Sequence, residues 1–213
     1  MHIQLQELVP GYFDTEQITG SEIWGKNIVF NKGEHVHIVA PSGSGKTSLI
    51  HFLYGLRKDY NGSISYQDAN IKNFSLEQFS ALRQKNLSIV FQDLRLFTEQ
   101  TVRENIELKR QLNPYHTQEK IEEMAAQLGI QNKLNRLAKT CSYGEQQRIA
   151  IIRSLMQPFD FLLLDEPFSN LDEGNRIKAF ELIEEECRKR NASMIFADLK
   201  ELDFLKGQRI LKL

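Results

Sequence analysis

Two cysteines in 213 residues, Cys141 and Cys187, are too few to staple a fold with disulfides, and their scarcity suits a reducing cytosol. Long apolar runs are missing as well. The longest, such as Phe159 to Leu164, fall far short of the ~20 residues that a membrane-crossing helix needs, so any membrane role must come through a partner. Neither sign of charge is in excess: the formal net charge is −1, which gives no global electrostatic case for nucleic acid, and no nucleic-acid partner is expected. The first ten residues alternate Ile3 and Leu5 with polar neighbours and lack a basic segment leading into an apolar core, so no secretory leader is expected. His35, His37 and His51 lack metal-ligand spacing and are expected to be structural. What remains is an ordinary globular composition, 41% hydrophobic and 26% charged, long enough to bury one proper core.

Against that background one segment stands out. Residues 35–39 form an apolar strand pattern that runs into Ala40-Pro41-Ser42-Gly43-Ser44-Gly45-Lys46-Thr47-Ser48. Gly43 and Gly45 let the backbone turn its N–H groups toward an anion, and the helix that follows adds its positive N-terminal end. Lys46 can reach terminal phosphates and Thr47 can offer a hydroxyl to Mg²⁺. The segment departs from Gly-x-x-x-x-Gly-Lys-Thr at its first position, where Ala40 replaces glycine, and this is tolerable unless φ there must be positive. A slightly altered phosphate loop is expected.

The rest of the chain alternates strand and helix patterns. Residues 27–30, 35–39, 63–66, 87–91, 161–164 and 193–197 read as strands, with Asn61-Gly62 as a hairpin-type turn. Helices are expected from Lys46 to about Leu56, after a capping box at Ser75-Leu76-Glu77-Gln78, over 102–112, 118–128, 145–156 and 176–190. Strands alternating with helices imply an α/β fold with a mainly parallel sheet and an antiparallel element near its front. Residues 93–140 read as a mostly helical insert between 1–92 and 141–213. The charge run from Glu181 to Arg190 reads as a solvated helix face.

A second feature completes a nucleotide site. Phe161-Leu162-Leu163-Leu164-Asp165-Glu166-Pro167 places two adjacent carboxylates at the end of a buried strand. Asp165 can serve a Mg²⁺ shell, and Glu166 can orient or deprotonate an attacking water. With Phe91-Gln92-Asp93, Cys141-Ser142-Tyr143-Gly144-Glu145-Gln146-Gln147-Arg148 and Ser169-Asn170-Leu171-Asp172, these segments resemble, in order, the motifs of the ATP-binding cassette ATPases: phosphate loop, glutamine loop, signature, acidic strand end and D-loop. Tyr12 sits where that family stacks an aromatic ring on adenine.

The resemblance implies the P-loop NTPase fold and an ATPase that uses ATP and Mg²⁺. It also implies that two cassettes pair head to tail, as a homodimer or with a second cassette. Each ATP would then lie between Pro41–Ser48 of one copy and Ser142, Gly144 and Glu145 of the other. Glu166 would be the general base, Lys46 would grip phosphate, and Thr47, Gln92 and Asp165 would serve the metal. A separate transmembrane permease would hold the protein peripherally on the inner face of the membrane, docked near the stretch from Gln92 to Thr101. Gln92–Phe97 and Thr101–Asn105 look most like the lipoprotein-release, macrolide-export and cell-division group. Two departures stand out. No histidine follows the last core strand, where Phe196-Ala197-Asp198 falls instead, and Cys141, Tyr143 and Glu145 alter the signature. Slow or partner-dependent hydrolysis is therefore expected. A mechanotransmission module without solute transport and a soluble non-transport cassette protein are the competing readings.

Overall fold

The computed structural model describes residues 1–201 and 207–213. In chain order the elements are β1 (His2–Pro10), α1 (Thr15–Ile18), β2 (Asn27–Asn31), β3 (His35–Val39), α2 (Lys46–Leu53), β4 (Tyr60–Tyr66), β5 (Ala69–Asn70), α3 (Leu76–Lys85), β6 (Leu87–Val90), α4 (Val102–Leu112), α5 (Glu119–Gln127), α6 (Tyr143–Leu155), β7 (Phe161–Asp165), α7 (Glu173–Arg190), β8 (Ser193–Asp198) and β9 (Arg209–Lys212). Strands β6-β7-β8-β3-β9 form a parallel sheet, and β2-β1-β4-β5 form an antiparallel one.

The parallel sheet divides two cores, and the side-chain alternation of β7 shows how. Leu162 and Leu164 join Val90, Met194 and Phe196 against α4 to α7 on one face. Phe161 and Leu163 join Leu87, Ile89 and Ile195 against α2 and the antiparallel sheet on the other. A strand buried on both faces can hold no polar position until it ends, which is why Phe-Leu-Leu-Leu runs uninterrupted to Asp165. Capping boxes open α3 at Ser75, α4 at Thr101 and α6 at Ser142.

Two expectations fail. Asn61-Gly62 is not a hairpin turn but lies inside β4, opposite an irregularity in β1 between Gln6 and Val9. A Cβ on Gly62 would stand 2.4 Å from the carbonyl oxygens of Gln6 and Glu7, so the glycine is there for a close backbone approach. The hairpin turn is Gln67-Asp68, joining β4 to β5. The second failure is the charge run on α7. Glu186 is fully buried, with the His116 Nε2 at 2.6 Å and the Arg190 Nη2 at 2.5 Å from its Oε2. Arg190 also donates to the carbonyls of Leu155 and Gln157 and lies over the ring of Tyr115. The remaining exposed charges on that helix pair locally, as Lys189 does with Glu185.

Candidate functional site

The phosphate loop leaves β3 at the C-terminal edge of the parallel sheet, where an α/β fold opens its binding crevice. Gly43 (φ +82°) and Gly45 (φ +92°) occupy left-handed positions. Ala40 does not, which is why alanine fits the first position of the loop. A Cβ on Gly45 would meet the rings of Phe13 and Trp24 at 3.0 Å, and the Trp24 indole N–H donates to the Ser44 carbonyl at 3.1 Å. These two aromatics back the loop and fix its turn.

Lys46, almost wholly buried, spans the loop: its Nζ donates to the carbonyls of Ala40 (2.8 Å) and Pro41 (2.9 Å) and lies 3.7 Å from Glu166 Oε1. The Gln92 amide bridges the two halves of the site. Its Oε1 accepts from the Thr47 hydroxyl at 3.3 Å, and its Nε2 donates to Glu166 Oε2 at 3.2 Å. Tyr12, Ser42, Gly43, Gly45, Lys46, Thr47, Ser48, Gln92 and Glu166 line one cleft of about 240 Å³. Pro41 and Ser44 shape its rim, the Ser44 hydroxyl donating to the Pro41 carbonyl.

Asp165 is buried, and neither of its carboxylate oxygens has a hydrogen-bond partner among the described residues. Burial, opposed by the nearby Thr47 hydroxyl and reinforced by the neighbouring Glu166 charge, pushes its acid up to about 6. An unpartnered carboxylate beside a threonine hydroxyl and a glutamine carbonyl is a hard, oxygen-only donor set suited to Mg²⁺. No group of three His, Cys, Asp or Glu side chains among the described residues is arranged to hold a metal ion by itself, so a cation here would take its remaining ligands from phosphate and water.

Glu166 is held at φ +46°, a left-handed conformation that is strained for a non-glycine residue. Its N–H donates to the Ala197 carbonyl, and its own carbonyl accepts from the buried Gln147 amide at 3.2 Å. The turn aims the carboxylate back at Lys46 and Gln92. Asp198, at the end of β8, lines a second cavity of about 700 Å³ on the other side of Glu166, and burial raises its acid. Glu166 pairs with Lys46, and the charges of Glu166 and Lys46 act in opposite senses on both Asp165 and Asp198. Of the two positions open for the missing histidine, Ala197 is fully buried within β8 and Asp198 is the one that faces Glu166.

None of the signature residues lines the cleft, although the Tyr143 hydroxyl donates to the carbonyl of the cleft residue Gln92 at 3.5 Å. Ser142 caps α6, accepting from the Glu145 N–H, and a Cβ on Gly144 would stand 2.9 Å from the Asn170 carbonyl, so only glycine lets α6 approach the D-loop this closely. Glu145, expected at the nucleotide of a second copy, has its carboxylate engaged within its own chain: it accepts from the Ser142 N–H and pairs with Lys133 at 2.9 Å. The Lys133 ammonium holds that acid below the usual range. Cys141 is buried and its thiol is raised by burial, as expected of a packing residue.

A family model described as "ABC transporter" matches residues 25–169. The chain belongs to the ABC transporter family. It is an ATP-binding ATPase subunit of that family, as the motif order implies. The lipoprotein-releasing system ATP-binding protein LolD of Legionella pneumophila (strain Lens) is 34% identical over 193 residues, covering 89% of this chain and 85% of the relative. The thiamine import ATP-binding protein ThiQ of Haemophilus influenzae (strain ATCC 51907 / DSM 11121 / KW20 / Rd) is 34% identical over 172 residues, covering 79% and 77%. The solved dimeric ATP-binding cassette MJ0796, in a post-hydrolysis state bound to ADP and Pi, superimposes with a TM-score of 0.80 at 22% identity over 93% of this chain and 88% of that one. The last comparison speaks to the fold.

Three contacts at the site go beyond the roles read from the motifs. Trp24 backs the phosphate loop from 20 residues upstream in sequence. Gln147 ties the signature helix to Glu166 and, through Oε1, to the Asn170 N–H at 3.0 Å. Leu94 and Arg95, just after Gln92, are consecutive left-handed residues whose carbonyls accept from Arg153. Only Gln147 left a signal, a polar residue on the buried side of a helix.

Proposed function

We propose that this chain binds Mg-ATP on the Lys46 loop and closes it against the Ser142 end of α6 from a second cassette. Closure and hydrolysis would then drive a separate membrane permease. The observation that carries the reading is the unpartnered Asp165 carboxylate set beside Thr47, Gln92 and Lys46. Lys46 would exchange its loop carbonyls for phosphate oxygens, and the Gly43–Thr47 N–H groups would orient them. Thr47, Gln92 and Asp165 would hold Mg²⁺, which when bound supplies charge neutralisation at the phosphates. Glu166 would take a proton from the attacking water, which Gln92 positions. Tyr12 would stack on the base. Ser142 and the first N–H groups of α6, with those at Gly144 and Glu145, would meet the terminal phosphate from across the interface. Without a histidine at the end of β8, and with Asp198 there instead, hydrolysis by the isolated protein would be slow.

An apolar groove of about 440 Å³ supports the permease part of the reading. Tyr54, Ile89, Phe91, Phe97, Leu108 and Leu112 line it together with Arg95, Lys109 and Arg153 and no carboxylate, and it opens on the loop that follows Gln92. Residues 93–140 would form the subdomain that carries this docking surface. No helix among the described residues is long and apolar enough to cross a membrane, so attachment would be peripheral, on the inner face of the membrane. The relatives named for lipoprotein release and thiamine import favour transport over mechanotransmission without solute movement.

Sedimentation velocity tests the pairing. With Mg²⁺ and a non-hydrolysable ATP analogue the protein should shift from monomer to dimer, and Lys46→Ala should abolish the shift. A protein that stays monomeric at millimolar nucleotide refutes the sandwich. Asp165→Asn tests the metal assignment. It removes an uncompensated buried charge and should stabilise the metal-free protein by about 1–3 kcal/mol in urea unfolding with EDTA. The same change should erase the stabilisation that Mg²⁺ adds in the presence of nucleotide.

A further inference from the structure

Arg57, just past the C-terminal end of α2, belongs to none of the family motifs, yet it reaches into the nucleotide site from behind. Its guanidinium is fixed by a fork onto Asp59, with Nε 2.9 Å from Oδ1 and Nη2 on Oδ2. That leaves Nη1 directed at the cleft, donating to Ser48 Oγ at 3.0 Å and reaching the Tyr12 hydroxyl at 3.5 Å. The Tyr12 hydroxyl is in turn 2.5 Å from Ser48 Oγ. The guanidinium carbon stands 5.0 Å from the Tyr12 ring centroid and 5.5 Å from that of the buried Phe52. Tyr12 is 52% exposed, so its ring stays accessible to a ligand although Arg57 lies over it and the Phe13 ring packs perpendicular to it with centroids 5.2 Å apart.

These contacts form one device. An exposed tyrosine ordinarily samples several rotamers, and ordering it on binding costs affinity. Here the hydroxyl is tethered to Ser48, and over the ring lies a planar cation that is itself held by a carboxylate, so the ring is set before a base arrives. A guanidinium suits this task because its fork fixes its plane, which an ammonium cannot do. The Asp59 contact also keeps Arg57 firmly charged, raising its already high proton affinity.

We infer that Arg57 is a positioning residue for nucleobase binding: it presets Tyr12 through the Ser48 tether and ring contact, and so favours nucleotides over base-free polyphosphate. This rests on Tyr12 being the base-stacking residue, as proposed above.

Titration of the purified protein tests it, with the single Trp24 as reporter, since its indole N–H is bonded to the phosphate loop. Arg57→Ala should raise the Kd and KM for Mg-ATP about tenfold, leave kcat unchanged, and leave the Kd for Mg-tripolyphosphate unchanged. Arg57→Lys, which keeps the charge and loses the fork, should fall between, at about threefold. Tyr12→Ala should cost as much as Arg57→Ala, and the double variant no more than either alone. A merely structural Arg57 would weaken ATP and tripolyphosphate alike, or neither, and either result overturns the inference. If Tyr12→Ala alone leaves ATP affinity untouched, the stacking assignment fails first, whatever Arg57 does.

Discussion

Glu186→Ala is expected to lower the stability of this protein by about 3–5 kcal/mol in urea unfolding at neutral pH, although Glu186 lies outside the nucleotide cleft. The side chain is fully buried, and it faces Arg190 and Lys189 from its own helix and His116 from the segment between α4 and α5. Truncation leaves the Arg190 guanidinium, only 3% exposed, as a buried cation without its carboxylate. Replacing both Glu186 and Arg190 by apolar residues of similar volume should recover much of the loss, because the penalty is for an uncompensated charge.

The same cluster sets a pH dependence. Burial by itself would raise the Glu186 acid, but the hydrogen bond from His116 and the charge of Arg190 outweigh it and bring the acid down to about 2. In the unfolded chain it titrates near 4.5. Between those values the unfolded state binds the extra proton, so stability falls as pH falls. The contribution, about 3 kcal/mol, is complete above pH 4.5 and lost by pH 2. Urea unfolding from pH 6 to pH 3 should show a shallower acid limb in Glu186→Gln than in the parent. Parallel limbs would show that this carboxylate is not held as the geometry requires.

Glu186 also shows where the sequence could have been read further. The buried positions of α7 are Ala179, Phe180, Leu182, Ile183, Glu186 and Cys187, a helical stripe with one charge on it. Reading 181–190 as a block of charge hid a residue whose phase placed it inside. The cleft itself was legible because its parts are local: the loop from Ala40 to Thr47 and the strand ending in Asp165-Glu166 each show their pattern within eight residues, and the structure brings Lys46, Thr47, Gln92 and Glu166 together. Ala40 was legible conditionally, the condition being a backbone angle that only the structure supplies. Asn61-Gly62 misled because glycine serves a tight turn and a close backbone approach equally well, and the Gln6 and Glu7 carbonyls that decide between them are more than fifty residues away. Trp24 and Arg57 were invisible for the same reason, since each acts on the loop through a contact that only folding creates.

Glu166→Gln should reduce ATP turnover about 10²- to 10⁴-fold while leaving nucleotide binding intact or tighter. The amide keeps the shape, and Lys46 remains anchored by the Ala40 and Pro41 carbonyls, so the phosphate grip survives. What disappears is a proton acceptor and one negative charge, and removing that charge from beside Asp165 and Asp198 lowers the repulsion that a triphosphate meets. ATP itself, and not only a non-hydrolysable analogue, should then hold this variant as a dimer in light scattering. Asp198 is the informative control, since it lines the same cavity as Glu166 and is the carboxylate that ends β8. If Glu166→Gln keeps parental single-turnover rates and Asp198→Asn loses them, the base has moved to the strand end where the family's histidine is missing. If Glu166→Gln alone is silent, the left-handed turn that aims Glu166 at Lys46 and Gln92 is there to place the base.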